Sequence, residues 1–435
     1  MLIVVAAMLS LAGCTGGGRE AVSASPHRSV DLSIYTYMPL ASPAADSLFA
    51  GFVADFERSH PNVHITTMKP ATTASIFASL QQDISAGNVP DVAQVTWDEL
   101  RYVVSQLGAQ DLDTIVGADA LRAEWGGPYP YSQAVTRLGV VNGKTYVVPW
   151  TVSTPILFYN ANLFRQAGLD PTHPPTTWAQ VKSDALTIKA KTGANGVATG
   201  CLGQAAVPFD WCAQAIVDSA GGGVVSADGR RVTFNTSANV AALQEMQDLA
   251  RSGAMVDLTA PQEVAEFGSG KLGMLLTTAI YQATLLQEAA GHFDVLATGL
   301  PSFASRPATP TPSGSGLAIL TRDRARQEAA WELIQYLTSP SSLTQITKRI
   351  GYVPLRPSLA KAPEYLGSWA KTSSLVDVNI AQLSHIVPQR SYPGSHFAQI
   401  ELDFVNATEA IVFGGESARS ALDQLQSVAS SLGSQ

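Results

Sequence analysis

Aromatic residues beside hydrogen-bonding groups carry the most specific chemistry in this chain of 435 residues. Trp97 and Asp98 are adjacent and follow Asp91–Val95, a short apolar segment that predicts a strand. Trp211 lies in the segment PFDWC. An aromatic ring can cover the apolar face of a small molecule, and a carboxylate accepts hydrogen bonds from its hydroxyl groups. These residues predict a site for a small polar ligand, and core packing is the alternative for each tryptophan.

The motifs of common enzymes are absent from the sequence. There is no GxSxG, no HExxH and no histidine–cysteine cluster with metal-ligand spacing. Asp98 and Glu99 are adjacent and would point apart on a regular element, which disfavours them as the carboxylate pair of a glycosidase. Other carboxylate pairs stay open, because their separation in space cannot be read from a sequence. We expect a protein that is not an enzyme and that needs no metal or cofactor.

The N-terminal segment predicts export and lipid anchoring. Residues 2–13 carry no charge and end in Leu11-Ala12-Gly13-Cys14. About a dozen apolar residues are too few to span a bilayer, which needs roughly 20, but they suit the core of a signal peptide. Residues 1–14 therefore predict a lipoprotein signal with an acylated Cys14, followed by a flexible tether over 15–30. An ordinary secretory peptide with a chance cysteine is the alternative.

Composition and charge narrow the range of partners. The chain has 46% hydrophobic and 14% charged residues, a net charge of −8 and no run of Lys or Arg. This pattern is typical of a globular chain with room for two domains, and it disfavours nucleic acid or an anionic membrane surface as the main partner. Cys201 and Cys212 can pair in an exported protein, and two separate buried thiols are the alternative.

Strands and helices alternate along the sequence, which predicts an α/β architecture. The first half of this pattern consists of strands at Val30–Tyr37, Pro61–Met68 and Asp91–Val95, with helices at Ala45–Ser59 and Ser75–Ala86. Further helices are expected at 177–191, 236–252, 280–291, 323–338, 340–349, 397–413 and 417–432. Residues 300–316 are rich in Pro, Ser and Gly and read as a linker or a long surface loop.

The segment GKTYVVPW at 143–150 leads into STPILFYNANLFRQAGLDP. This part of the chain resembles the extracellular solute-binding proteins of carbohydrate ABC importers, especially their glycerol-3-phosphate-binding branch. Further similar segments follow in the same order at 231–249, 267–274, 314–340, 349–358 and 388–426. The resemblance covers nearly the whole mature chain, and mycobacterial-type sugar or amino-sugar-binding lipoproteins are the most similar group.

The resemblance implies two α/β lobes of the periplasmic-binding-protein fold, class II type, with a ligand cleft between them. Lobe 1 is expected to comprise 31–150 plus 317–350, and lobe 2 to comprise 151–316 plus 351–435. Three crossings near 149–156, 311–318 and 350–356 would act as the hinge. The protein would be a monomer that captures a sugar or amino sugar and delivers it to permease subunits on separate chains.

Candidate ligand-binding residues come from strand ends, from the crossings and from the resemblance. Ser153, Gly314, Tyr352 and Arg390 match ligand-contacting positions of the glycerol-3-phosphate branch. The full expected set is Tyr37, Trp97, Asp98, Trp150, Ser153, Trp211, Tyr281, Gly314, Tyr352 and Arg390. For Arg390 the alternative is an ion pair between the lobes.

Two departures from the branch weaken a phosphate ligand. The branch carries a second tryptophan shortly before the one matched by Trp211, and this chain reads GQAAVPF there. Where the branch has serines after the Met of the FGSGKLGM-like segment, this chain has Thr277 and Thr278. One arginine beside Asp98 would hold a dianion poorly. We therefore expect a saccharide, with glycerol-3-phosphate or a glycerophosphodiester as the alternative and a secreted glycoside hydrolase as a distant one.

Overall fold

The computed structural model describes residues 29–72, 75–304, 306–371 and 375–434. Cys14 and the expected tether up to residue 28 lie outside these ranges. Among the described residues, no helix is both long enough and apolar enough to cross a bilayer.

Strands and helices alternate as expected, and the predicted α/β class is confirmed. The strands are β1 Val30–Tyr35, β2 Val63–Met68, β3 Val92–Thr96, β4 Val140–Val141, β5 Lys144–Thr145, β6 Val147–Ser153, β7 Pro155–Asn160, β8 Asn195–Thr199, β9 Leu272–Thr278, β10 Val295–Gly299 and β11 Ser313–Ile319. The helices of the first half are α1 Met38–Ala41, α2 Pro43–Ser59, α3 Ile76–Ser85, α4 Leu100–Ser105, α5 Leu112–Ile115, α6 Ala118–Trp125, α7 Gln133–Thr136, α8 Ala161–Ala167, α9 Trp178–Thr192 and α10 Trp211–Ser219. Those of the second half are α11 Ser237–Arg251, α12 Ala260–Gly268, α13 Gln282–Glu288, α14 Arg324–Leu337, α15 Pro340–Ile350, α16 Ser368–Ala370, α17 Leu375–Leu383, α18 Phe397–Val412 and α19 Ala418–Leu432.

Local signals explain why the helix bounds could be predicted closely. α9 begins at a capping box, in which Thr177 and Gln180 bond each other's backbone amides. It ends at Gly193, whose left-handed backbone closes the last turn. The expected linker at 300–316 is partly wrong, because β11 occupies residues 313–319 as an inner strand of a sheet.

The first sheet has the strand order β2-β1-β3-β11-β6. β1 is parallel to β2 and β3, whereas β11 runs antiparallel to both β3 and β6. Helices α2 and α14 pack against it, and Phe52 and Phe56 of α2 are buried in the core they form. The sheet with its helices is lobe 1.

The second sheet has the order β10-β7-β9-β8. β7 follows β6 after the single residue Thr154, yet the two strands belong to different sheets. The chain returns from β10 to β11 of the first sheet through residues 300–312. These two passages join two sheets with their own helices, and the second sheet forms lobe 2.

Contacts after α15 bear on the third passage, which was expected at 350–356. Arg356 forms a buried ion pair with Glu124 (2.7 Å), which holds the segment after α15 against lobe 1. α17 packs against β10 instead, and Gln382 Nε2 on α17 donates to the carbonyl oxygen of Pro155 (3.0 Å). We therefore propose that the third passage lies between Arg356 and α17, later than the sequence suggested.

Candidate functional site

A cavity of about 420 Å³ lies between the two lobes. Its wall includes α1, the last residue of β3 and the first residues of β11 from lobe 1. Lobe 2 contributes the loop before α10, the start of α12 and the last residues of β9. Ligands of α/β proteins bind outside the carboxyl ends of strands and where domains meet. The cavity is therefore the candidate site.

Aromatic rings form much of the apolar wall. Trp211 at the start of α10 and Phe209 just before it line one part, and the tyrosines Tyr37, Tyr281 and Tyr352 line others. Tyr37 and Tyr352 are 8% and 7% exposed, so their rings are held by packing. Burial raises the pKa of the Tyr352 hydroxyl, which keeps it a neutral hydrogen-bonding group. Rigid rings of this kind can cover the apolar face of a ligand.

A disulfide and a buried polar network hold Trp211 in place. Cys212 on the first turn of α10 is bonded to Cys201, with Cα atoms 4.7 Å apart. Asp210 is fully buried and accepts hydrogen bonds from the Tyr392 hydroxyl and from Gln214 Nε2 (3.0 Å). These constraints fix the start of α10, and with it the tryptophan.

The same network includes a second buried carboxyl group. The backbone N–H of Asp210 donates to Glu401 Oε1 (3.1 Å), and Gln389 Nε2 donates to Asp210 Oδ1 (3.1 Å). Burial raises the pKa of Asp210 and of Glu401 above their ordinary values. Gln389 also lines the cavity, so the network connects the core of lobe 2 to the cavity wall.

Two carboxyl groups line the cavity, Asp98 from lobe 1 and Glu263 from lobe 2. Burial raises the pKa of Asp98 to about 6. Burial, with the nearby Asp257 as a smaller cause, raises the pKa of Glu263 to about 9. Glu263 is 2% exposed, and its Oε1 atom has no hydrogen-bond partner among the described residues. A buried acceptor left open in this way is suited to a ligand donor.

Basic side chains are missing from this wall. Within the described part of the chain, no Lys, Arg or His lines the cavity. The remaining polar groups are hydroxyls and an amide, from Thr96, Thr277, Thr278, Ser313 and Gln389. A wall of rings, hydroxyls and carboxyls suits a neutral or cationic ligand, because a buried anion would lack a counter-charge.

Six of the ten sequence-predicted residues line the cavity together: Tyr37, Asp98, Trp211, Tyr281, Gly314 and Tyr352. Gly314 is glycine for a steric reason. Its φ is +103°, and a Cβ there would collide with the backbone carbonyl of Thr151 on the neighbouring strand β6. Because β11 approaches β6 closely at Gly314, this part of the cavity wall is formed by the backbone of Gly314.

Three of the other predicted residues lie in the protein interior. Ser153 is fully buried, and its Oγ bonds Thr278 Oγ1 (2.6 Å), so it lies directly behind the wall. Trp97 is 3% exposed and turns its Nε1 towards the carbonyl of Ser313 (3.4 Å). Trp150 is fully buried in lobe 1 and does not reach the cavity. The aromatic plates expected from Trp97 and Trp150 are absent from its lining.

The tenth residue, Arg390, lines a different and smaller cavity. Its backbone is fixed to α10, because its N–H donates to Gln214 Oε1 (2.9 Å). The only arginine that we expected at the site is therefore not among the residues around Trp211.

Sequence reasoning missed Glu263 and Gln389. Glu263 lies one helical turn before Phe267 on α12, and both side chains are buried on the same face. A carboxylate on an apolar helical face is a signal that periodicity could have provided. Gln389 lies in an irregular segment after α17, where no periodicity indicates the direction of a side chain.

The chain is similar to known bacterial proteins in sequence and in structure. The sequence profile of the family described as bacterial extracellular solute-binding protein matches residues 41–343. The sn-glycerol-3-phosphate-binding periplasmic protein UgpB of Yersinia pseudotuberculosis is 24% identical over 289 residues, which make up 65% of this chain and 65% of that protein.

Two solved structures have the same two-lobe fold. The cyclic alpha-maltosyl-1,6-maltose binding protein from Arthrobacter globiformis matches with a TM-score of 0.78 at 22% identity, over 94% of this chain and 100% of that chain. UgpB from Mycobacterium tuberculosis, solved in complex with glycerophosphocholine, matches with a TM-score of 0.76 at 18% identity, over 93% of this chain and 98% of that chain.

Proposed function

The chain belongs to the family of bacterial extracellular solute-binding proteins, and we propose that it captures a sugar or amino sugar for an ABC importer. Members and structural neighbours are binding proteins rather than enzymes. The family is exported, and it serves ABC importers of sugars or glycerophosphate-type ligands. The choice between these two ligand classes rests on the cavity wall.

The wall around Trp211 is the observation that supports a saccharide as the ligand. It combines aromatic rings with hydroxyls and two carboxyls, and it includes no basic side chain among the described residues. A sugar has apolar C–H faces for the rings and hydroxyls for the polar groups. A phosphate would be buried beside Asp98 and Glu263 without a cation, which is costly.

Glu263 supports the finer proposal of an amino sugar. Its buried Oε1 has no hydrogen-bond partner among the described residues, and an ammonium group on the ligand would supply both a hydrogen bond and the opposite charge. If Glu263 is protonated and the ligand amine is neutral, transfer of one proton from the carboxyl group to the amine gives the same pair of carboxylate and ammonium. A hydroxyl would satisfy the same oxygen with a weaker bond, so neutral sugars remain within the proposal.

Binding would work by closure of the lobes. The residues around the cavity come from both lobes, so a ligand that contacts them favours the closed arrangement over the open one. The passages between the sheets are the hinge in this account. The permease and its ATPase are separate chains, and the protein itself would act as a monomer.

A glycerol-3-phosphate or glycerophosphodiester ligand is the second candidate. It is favoured by the sequence likeness to the Yersinia protein and by the fold likeness to the mycobacterial UgpB. In that case the ligand would need Arg390 to turn from its own cavity towards Trp211.

A thermal-shift panel of glucosamine, glucose, maltose, sn-glycerol 3-phosphate and glycerophosphocholine tests the proposal. A true ligand stabilises by RT ln(1 + [L]/Kd), about 2.7 kcal/mol at a hundredfold excess over Kd. We expect a saccharide to raise Tm most. Stabilisation by a phosphorylated compound alone would favour the second candidate. Hydrolysis of a chromogenic glycoside would instead indicate a glycosidase.

The lipid anchor is a separate proposal. It rests on Leu11-Ala12-Gly13-Cys14 and on the polar segment after it. Cys14→Ala should prevent acylation, so that the protein leaves the detergent phase in a phase-partition assay. Unchanged partitioning, with a mass that differs from that of the parent by the Cys-to-Ala replacement alone, would contradict the anchor.

A further inference from the structure

A second cavity of about 240 Å³ is lined by Trp97, Gln389 and residues near them. Three guanidinium groups line it, from Arg101, Arg137 and Arg390. No Asp or Glu of the described residues lines it. Its basic lining contrasts with the carboxyl groups of the larger cavity, although Gln389 lines both and Asp98 lines an adjoining cavity together with Arg101.

The three arginines have no ionic partner in the described part of the chain. None of their side chains forms an ion pair there, and none donates a hydrogen bond to a protein atom. Burial raises the pKa of Asp218 to about 6, and the charge of Arg390 offsets part of that rise, but the described side chains of Asp218 and Arg390 do not form an ion pair. Guanidinium groups grouped without a counter-charge repel one another.

The arginines come from both lobes. Arg101 lies on α4 and Arg137 follows α7 in lobe 1, whereas the backbone of Arg390 is bonded to Gln214 on α10 of lobe 2. Arg101 reaches across the junction, because a Cβ on Gly229 of lobe 2 would collide with its guanidinium group. Arg101 and Arg137 are exposed and Arg390 is half-buried, so a solute can reach all three.

We infer that this cavity binds a small oxyanion, such as phosphate or sulfate, at a site separate from the saccharide cavity. A guanidinium group presents paired N–H donors that match the oxygens of such an ion. Asn142, Gln389 and the hydroxyl-bearing Ser391 in the same lining supply neutral polar groups. Because the donors come from two lobes, the bound ion would hold the lobes together. This site does not depend on the proposed transport function.

Calorimetric titration with inorganic phosphate, at constant ionic strength, tests the site. Constant ionic strength is needed because salt screens exposed charges. We expect saturable binding of one phosphate to the parent protein. Arg101→Gln and Arg137→Gln should each weaken it about tenfold, the value of one charge-assisted hydrogen bond. Arg58→Gln is the control, because Arg58 is exposed on α2, pairs with Asp55 and lines neither cavity.

Two further measurements separate this site from the saccharide cavity. The best saccharide of the thermal-shift panel should bind Arg101→Gln and Arg137→Gln as it binds the parent, which shows that both variants are folded. Phosphate should bind equally well, or more tightly, when that saccharide is saturating. Phosphate binding that is unsaturable, equal in all variants, or displaced by the saccharide would overturn the inference.

Discussion

Glu263→Gln should change binding and stability in opposite directions. The carboxyl group is 2% exposed, and burial raises its pKa from 4.5 to about 9. Between these two values the folded state holds a proton that the unfolded state has lost. Stability therefore falls as pH rises through this window, by about 1.4 kcal/mol per pH unit at most. Glutamine does not titrate, so the variant should not lose stability in this way.

The magnitude can be measured by calorimetric melting from pH 5.5 to 8.5 without ligand. An entropy of unfolding near 2 cal/mol/K per residue converts this slope to a relative gain in Tm of about 1.5 °C per pH unit for the variant. Glu266→Gln is the matched control. Glu266 lies one turn later on α12, accepts a hydrogen bond from Asn195 Nδ2 (2.7 Å) and does not line the cavity.

Binding should weaken in the same variant. Replacing a carboxylate that pairs with a ligand donor costs about 1.5–3 kcal/mol, which is roughly ten- to a hundredfold in Kd. The probe is the saccharide that stabilises the parent most in the thermal-shift panel. An unchanged Kd would show that Glu263 does not contact the ligand. An unchanged pH slope of Tm would refute the raised pKa and imply an ionised, partnered carboxylate.

Three other variants test the remaining parts of the account. Trp211→Ala should weaken saccharide binding by about 1.5–3 kcal/mol and leave the ligand-free Tm nearly unchanged, and calorimetric titration with a parallel melt decides between a site residue and a core residue. Trp150→Ala should instead cost about 3–5 kcal/mol of stability, because Trp150 is fully buried against Phe49, and a denaturant melt close to that of the parent would contradict this packing. Cys201→Ser with Cys212→Ser opens a link of sequence separation 11 and should cost about 3 kcal/mol or less, whereas two free thiols in the intact mass of the parent would disprove the bond.

Most of the fold could be predicted from local signals. Caps and glycines mark the ends of helices such as α9, and the alternation of elements indicates the α/β class. β11 was harder, since Ser313–Ile319 begins with small residues that also suit a linker. The third passage was harder to locate, because the buried pair of Arg356 and Glu124 joins residues far apart in the sequence.

The site could be predicted only in part. Asp98 and Trp211 could be identified from the sequence, because a carboxylate just after a strand and a tryptophan at the start of a helix are unusual. Trp150 lies on β6, where every residue is buried, so no alternation distinguishes a cavity face from a core face. The direction of Arg390 depends on bonds to α10 that no sequence pattern reveals.

The most direct test of the central claim is a calorimetric competition at the cavity around Trp211. Glucosamine, glucose and maltose are titrated into the protein, followed by glycerophosphocholine and sn-glycerol 3-phosphate, with and without saturation by the best saccharide. The account predicts one saccharide site, lost or weakened in Trp211→Ala, and no phosphorylated compound that displaces the saccharide. A phosphorylated compound that binds more tightly than every saccharide and competes for the same site would contradict it.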